Sequence, residues 1–312
     1  MRLEHLRELT REVSVPPGKD QQQWLHERMR QLGLDPEVLY QELEMTSPLV
    51  DTHRDISWSN AHMQLHSHTF YELLYCCNDC GAEYLVGERR YRLRQGDVII
   101  VPPGISHRPL LPEKMETPYE RYVLWFSSAF LEQYIRIAPE SAGREIRAGL
   151  LRTGGTGRES IGRAFLTGVL ESERRLDGWE TAIVGNTISL LTQISRAADD
   201  RSARALEAEE PELLDRILAH VEEHYREELS IGAVAERFYV SPSTVSHLCK
   251  QKLGTSFHRL VTQRRLIGAK SLIDRGVPLE EVGRQVGFRD HSGFYRAFRQ
   301  EYGISPRQYR DL

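Results

Sequence analysis

Two stretches near the C-terminus repeat one another, and this repeat restricts the fold more than any other feature of the 312 residues. From Ser230 to Gly254 the chain reads SIGAVAERFYVSPSTVSHLCKQKLG, and from Leu279 to Gly303 it reads LEEVGRQVGFRDHSGFYRAFRQEYG. In the first, Ile231, Val234, Ala235 and Phe238 fall at helical spacing, and the small Ala235 admits a second helix close by. Tyr239-Val240 forms a turn. Ser241 then suits an N-cap and Pro242 the first helical position, and Val245 and Leu248 give the new helix an inward face. In the second stretch Leu279, Val282, Gly283 and Val286 match the first helix at an offset of 48, and Asp290, Phe294, Phe298 and Gly303 match Ser241, Val245, Cys249 and Gly254 at 49. One residue has been added in the second turn. Helix, tight turn and capped helix, written twice, predicts two helix-turn-helix units in series.

Between them, Ser256 to Asp274 is predicted to be a helix with Phe257, Leu260, Val261, Ile267 and Leu272 on one side. At 1.5 Å per residue it spans about 28 Å, near the ~34 Å between successive major-groove faces on one side of DNA. Arg264, Arg265 and Lys270 on this helix are suited to phosphates. The net charge of −4 argues against nucleic acid only as an average: residues 211–312 hold 16 Lys and Arg against 13 Asp and Glu, or +3, leaving −7 for the remainder.

This C-terminal third resembles the DNA-binding domain of the AraC/XylS family of bacterial regulators. The resemblance also rests on Ala269-Lys270-Ser271-Leu272-Ile273, Val286-Gly287-Phe288 and the closing run Gly303 to Arg310. It implies base contacts from the exposed face of each second helix: Ser243, Ser246 and His247 in the first, and His291, Ser292, Tyr295 and Arg296 in the second; Lys250 and Arg299 on the same helices are further candidate DNA contacts. For Arg296 a phosphate clamp or an ion pair with Asp290 or Glu301 is the alternative. Tyr239 departs from the family pattern, which favours Gly in the turn. A left-handed backbone there costs a non-Gly residue about 1 kcal/mol.

Upstream, residues from about Val50 to Phe130 form short β-type runs punctuated by Gly and Pro, at Tyr71–Cys76, Glu83–Val86, Arg90–Leu93, Val98–Val101 and Arg121–Phe126. This predicts a small barrel or sandwich. Two motifs stand in it, His66-x-His68-x3-Glu72 and Gly96-x5-Pro102-x-Gly104-x2-His107. Together they resemble the cupin barrel, which in AraC-type regulators commonly receives the effector. The Gly expected after Glu72 comes late, at Gly81. His66, His68, Glu72 and His107 are therefore the candidate effector contacts. Three roles stay open for them: polar contacts to an effector, ligands to a divalent metal, or hydrogen bonds internal to the barrel. No cofactor is otherwise expected. Tyr84, Tyr91, Trp125 and Arg121 are further candidates for the pocket wall.

The fold class expected is therefore α+β in two domains: a cupin-like β-barrel with flanking helices, then an all-α domain with two helix-turn-helix units. The boundaries expected are 1–48 for an N-terminal helical extension and 49–135 for the effector-sensing barrel. A helical and linker region follows over 136–206, with Ala197 to Pro211 as linker, and the DNA-binding domain is 207–312. In Ala182 to Ile194 the stripe Ile183, Asn186, Thr187, Leu190, Leu191, Ile194 fits either packing on the chain's own barrel or a dimer contact. No apolar run approaches membrane-spanning length and the first eleven residues lack an apolar export core, so a cytoplasmic location is expected. The function expected is a non-enzymatic, sequence-specific transcription regulator binding double-stranded DNA under effector control, as a homodimer and with contact to RNA polymerase. The alternatives are a metal-dependent cupin enzyme fused to a DNA-binding domain, resting on the His/His/Glu/His set, and a thiol-based stress sensor. The latter would use Cys77 and Cys80, beside Cys76. Without an export signal these and Cys249 are expected to be reduced thiols.

Overall fold

The computed structural model describes residues 45, 47–58, 65–87, 89–112, 114–139, 146–199 and 212–311. Nearly all of the expected N-terminal extension, and residues 200–211 of the expected linker, lie outside the described residues.

Among the described residues, eight strands form two antiparallel sheets. Five make one sheet in the order β1-β7-β2-β5-β8, and three make the other in the order β4-β3-β6. The strands are β1 (Val50–Ser57), β2 (Tyr71–Cys76), β3 (Glu83–Val86), β4 (Arg89–Arg92), β5 (Asp97–Val101), β6 (His107–Leu110), β7 (Tyr119–Phe126) and β8 (Gly149–Arg152). Side chains alternate across each strand, so neighbours enter different cores. On β2 and β7, Leu74, Val123 and Trp125 face the three-stranded sheet and pack with Phe70, Tyr84 and Ile99. Their neighbours Leu73, Leu124 and Phe126 face the opposite way and pack beneath helices.

Those helices are α1 (Ser128–Ile137), α2 (Ser160–Arg174) and α3 (Trp179–Asp199). The stripe on α3 is used here: Ile183, Leu190, Leu191 and Ile194 are buried in one cluster with Phe165 and the outer face of the five-stranded sheet. Thr187 is fully buried and returns its hydroxyl to the Ile183 carbonyl. The stripe is therefore packing within the chain, not a free dimer surface. Helix α3 also continues through Ala197, which is fully buried, so the first residues expected to be linker are helical. Strand β8 is a further difference. It was expected to be helical or linker, yet it pairs with β5 from Asp97↔Arg152 to Ile100↔Gly149.

The C-terminal domain comprises α4 (Leu213–His224), α5 (Ile231–Arg237), α6 (Pro242–Leu253), α7 (Phe257–Asp274), α8 (Leu279–Gln285), α9 (His291–Tyr302) and α10 (Pro306–Arg310). Its core is in two parts. Leu214, Ile217 and Leu218 of α4 pack with Val234, Ala235, Val245, Cys249 and Leu253, and with Phe257 and Leu260 at the start of α7. Tyr225 and the later residues of α7 pack with Leu279, Val282, Val286, Phe294 and Phe298.

The outer face of the three-stranded sheet lies on the first of these cores. Leu85 of β3 and Leu110 of β6 belong to the same buried cluster as α4, α5 and α6. Beside them Arg90 of β4 reaches Glu83 at 2.9 Å, Glu212 at 2.9 Å and Asp215 at 3.2 Å. The layers thus run from helices through the five-stranded sheet, the inner core and the three-stranded sheet to the first half of the DNA-binding domain.

Candidate DNA-reading surface and barrel chamber

Local capping chemistry aims both second helices. Ser230 opens α5 by accepting from the Ala233 N–H, and Ser241 opens α6 by accepting from the Thr244 N–H. Pro242 occupies the first turn of α6, and Gly254 ends that helix in the left-handed region. With Val245, Cys249 and Leu253 buried, Ser243, His247 and Lys250 are left exposed and Ser246 half-buried. In the second unit the Asp290 carboxylate accepts from the Gly293 N–H at 2.6 Å, and Phe294 and Phe298 are fully buried. His291, Ser292, Arg296 and Arg299 are accordingly exposed, and the half-buried Tyr295 lies 4.3 Å from the His291 ring. Arg296 lies 3.4 Å from the Ser292 carbonyl, while Glu301 is engaged by Arg259 and Gln263. Asp290 and Glu301, the two carboxylates named as alternatives for Arg296, thus have other partners.

The two turns share a backbone course but differ in residue. Tyr239 adopts φ 56° and stands 95 % exposed, and Gly287, 48 positions on, adopts φ 91°. At Gly287 a side chain has no room, since a Cβ would meet the Arg226 carbonyl oxygen at 2.5 Å.

Three cations expected to face phosphates are turned into the domain instead. Arg264 forms a two-point pair with Glu222 and lies over the Tyr225 ring. Arg265 donates to the Tyr225 and Glu227 carbonyls at 2.7 Å each, and burial lowers its pKa. Lys270 is buried with its ammonium above the Tyr302 and Tyr309 rings. The cause is packing on α7 from two sides: α4 and the residues that follow it cover Arg264 and Arg265, and α9 and α10 cover Lys270. These groups fasten α7 to its neighbours.

In the barrel, three of the four motif residues meet. His68 lies just before β2, Glu72 on it and His107 at the start of β6, and all three are buried. His107 Nε2 is 3.0 Å and His68 Nε2 3.5 Å from the same oxygen, Oε2 of Glu72. The other carboxylate oxygen accepts from the Trp125 indole at 2.7 Å. Burial alone raises the Glu72 pKa, but the His107 and His68 imidazoles hold it well below the usual carboxylate range. Burial pushes His68 down, with Glu72 opposing. His66 stands apart from this trio. It pairs its backbone with His107, sets its ring 4.2 Å from the His107 ring, and lines a crevice with Leu65, Ser67, Gln263, Ile267, Glu301 and Tyr302.

Tyr84 is buried and stacks toward His107 at 6.3 Å, and Arg121 pairs with Asp55 at 2.9 Å over the Tyr119 ring. Sequence reading missed Asp55 and His53, because β1 carries too many polar residues to look like a strand. It also missed Arg108, which follows His107 and so points out of the barrel. Its guanidinium donates to the carbonyl of Leu253, the last residue of α6. Burial lowers its pKa to about 10.

The thiols do not suit a redox sensor, which needs accessible thiolate. Cys76, Cys77, Cys80 and Cys249 are all free. Burial pushes Cys77 up to about 12 and Cys249 to about 11, and raises Cys76 and Cys80 as well.

Two family models match the chain: an AraC-like ligand binding domain over residues 47–166 and a helix-turn-helix domain over residues 234–311. Among known proteins the chain is similar to the transcriptional regulator YfiF of Bacillus subtilis, 24% identical over 80% of this chain and 79% of that one. It is also similar to the arabinose operon regulatory protein of Escherichia coli, 26% identical over 71% of this chain and 74% of that protein. To the transcriptional activator RhaS of Salmonella arizonae it is 32% identical over 44% of this chain and 50% of that one. All three bear the names of transcription regulators. Among the described residues, no helix is long and apolar enough to cross a membrane.

Proposed function

The chain belongs to the AraC family of DNA-binding transcription regulators, and from that premise we propose that a ligand in the barrel chamber controls how its two reading helices engage an operator. The supporting observation is strand β6. It turns His107 into the barrel interior beside Glu72 and, one residue later, Arg108 onto the carbonyl end of α6. A cation at that end also complements the partial negative charge of a helix C-terminus. Occupancy that shifts His107 moves the residue holding the first reading helix, so barrel interior and DNA face are mechanically adjacent.

In this reading the barrel occupies 49–135 together with β8, and the DNA-binding domain occupies 207–312. Ser243, Ser246, His247, Lys250, His291, Ser292, Tyr295, Arg296 and Arg299 supply the DNA contacts. The protein acts in the cytoplasm as a homodimer and contacts RNA polymerase. Sedimentation of the full-length protein tests the homodimer.

The test of the β6 route uses duplexes selected from random DNA by the full-length protein. Couplings between sites are typically about 1–3 kcal/mol, or roughly 5- to 150-fold. Arg108→Met should shift affinity for those duplexes within that range. An affinity equal to that of the parent would sink the β6 route.

A further inference from the structure

The barrel interior brings together three acceptor atoms that one proton cannot serve. Nδ1 of His68 lies 2.8 Å from the Phe70 carbonyl oxygen, and Nδ1 of His107 lies 2.8 Å from the Ile105 carbonyl oxygen. A carbonyl only accepts, so each Nδ1 carries the ring hydrogen and each neutral ring presents its Nε2 lone pair. Both lone pairs are directed at Glu72 Oε2, itself an acceptor. With both rings neutral, all three buried atoms are without a hydrogen-bond donor. A proton on one imidazole would join that ring to Glu72 and leave the other ring's lone pair facing the same oxygen. A cation with several coordination positions serves all three at once.

The distances fit such an ion. With nitrogen and oxygen ligands at about 2.0–2.2 Å, neighbouring ligand atoms stand about 3.0 Å apart in an octahedral site and about 3.4 Å apart in a tetrahedral one. The His107–Glu72 and His68–Glu72 separations are 3.0 and 3.5 Å, and the three ligand atoms all lie within 4.8 Å of one another. The outer contacts are those of a metal site as well. Each imidazole is oriented by a backbone carbonyl through its other nitrogen, and the carboxylate is oriented by the Trp125 indole. Two imidazoles and one carboxylate suit zinc, ferrous iron, cobalt or nickel rather than calcium or magnesium, which take oxygen ligands.

We propose that His68, Glu72 and His107 bind a divalent transition-metal ion and that this ion is the ligand the barrel senses. The second half rests on the reading above, that the chamber controls DNA binding. Coordination draws His107 toward the ion, and His107 stands between His66, at the crevice against Gln263 and Glu301, and Arg108, on the end of α6. One ion thereby acts on the back of both halves of the DNA-binding domain.

The experiment uses full-length protein stripped of metal with a chelator and titrated with Co²⁺, read by visible absorption, and with Zn²⁺, read by calorimetry. One equivalent of each should bind, with cobalt bands in the range of nitrogen- and oxygen-ligated sites. Glu72→Gln and His68→Gln should each weaken binding by at least about 100-fold. A second readout separates an ion site from an internal ion pair. Gln at position 72 keeps an acceptor for Trp125 and offers an N–H to a lone pair, so metal-free Glu72→Gln should melt no lower than the metal-free parent. A marked loss of thermal stability there would overturn the proposal in favour of a structural ion pair. Absence of binding, or equal binding by parent and variants, would overturn it too, while leaving the β6 route intact. Binding with no change in affinity for the selected duplexes would uphold the ion site and overturn its sensing role.

Discussion

The two helix-turn-helix units are built to one pattern but held in different ways. The first shares its core with the sensor: Leu85 and Leu110 are buried among its residues, Arg108 holds the end of α6, and Arg90 ties α4 to the sheet. The second has a core of its own, in which Phe294 and Phe298 pack on α7 and α8, and its Glu301 and Tyr302 face the barrel's Leu65, His66 and Ser67 across a crevice. The difference separates two jobs within one domain. Under the proposed β6 route, the unit beneath the barrel is the one adjusted, and the unit beyond it stays as it is.

The largest effect expected from this contrast is at Phe294. Truncating a fully buried phenylalanine costs about 3–5 kcal/mol. Phe294→Ala should therefore remove hydrogen-exchange protection from α8 and α9 while leaving α5 and α6, braced by the barrel, protected. Equal loss in both units would break the contrast.

A smaller effect concerns base reading. Arg is the usual two-point reader of guanine, worth about 1–3 kcal/mol of discrimination, whereas His has less reach. Arg296→Ala should relax base preference at one position of the second half-site, and His247→Ala should change the first half-site less. Selection on randomised duplexes reads both. If the Arg296→Ala protein keeps the parental sequence preference and loses only overall affinity, Arg296 is a phosphate contact.

The smallest effect lies in the turns. Tyr239 bears a left-handed backbone that Gly287 adopts freely, so Tyr239→Gly should stabilise the first unit by up to about 1 kcal/mol in a denaturant titration. Gly287→Ala should do the reverse and by more, because of the Arg226 carbonyl. Equal and small changes at both would show that the turns are interchangeable after all.

Much of this architecture could be read from local pattern. Helix periodicity and capping residues located both units, because Ser241 and Asp290 act on atoms three residues away. What escaped depends on partners distant in the chain. Strand β6 reads His-Arg-Pro-Leu and looks like a loop; it is a strand because β3 pairs with it from Glu83↔Leu110 to Val86↔His107. Strand β8 exists through its pairing with β5 across some fifty residues. Arg264 and Arg265 looked like solvent-facing cations because nothing near them in sequence shows that α4 and the residues that follow it cover them. In the barrel interior, His68, Glu72 and His107 were legible as motif residues. The exclusion of His66 was not, since the chain is irregular from Ser67 to Phe70 and the two histidines do not alternate as strand neighbours would.

The fastening of α7 has a consequence for the genome the protein reads. Gly268 leaves so little space beside Tyr225 that a Cβ would meet its hydroxyl oxygen at 3.0 Å, and Arg264 and Arg265 lock the same joint. The connector is thus a fixed ruler, eighteen residues long. Each base pair inserted between two half-sites turns one about the helix axis by roughly 34–36° relative to the other. A jointless ruler cannot follow that rotation. Among promoters carrying both half-sites, spacing alone therefore decides which ones this regulator can occupy with both helices at once.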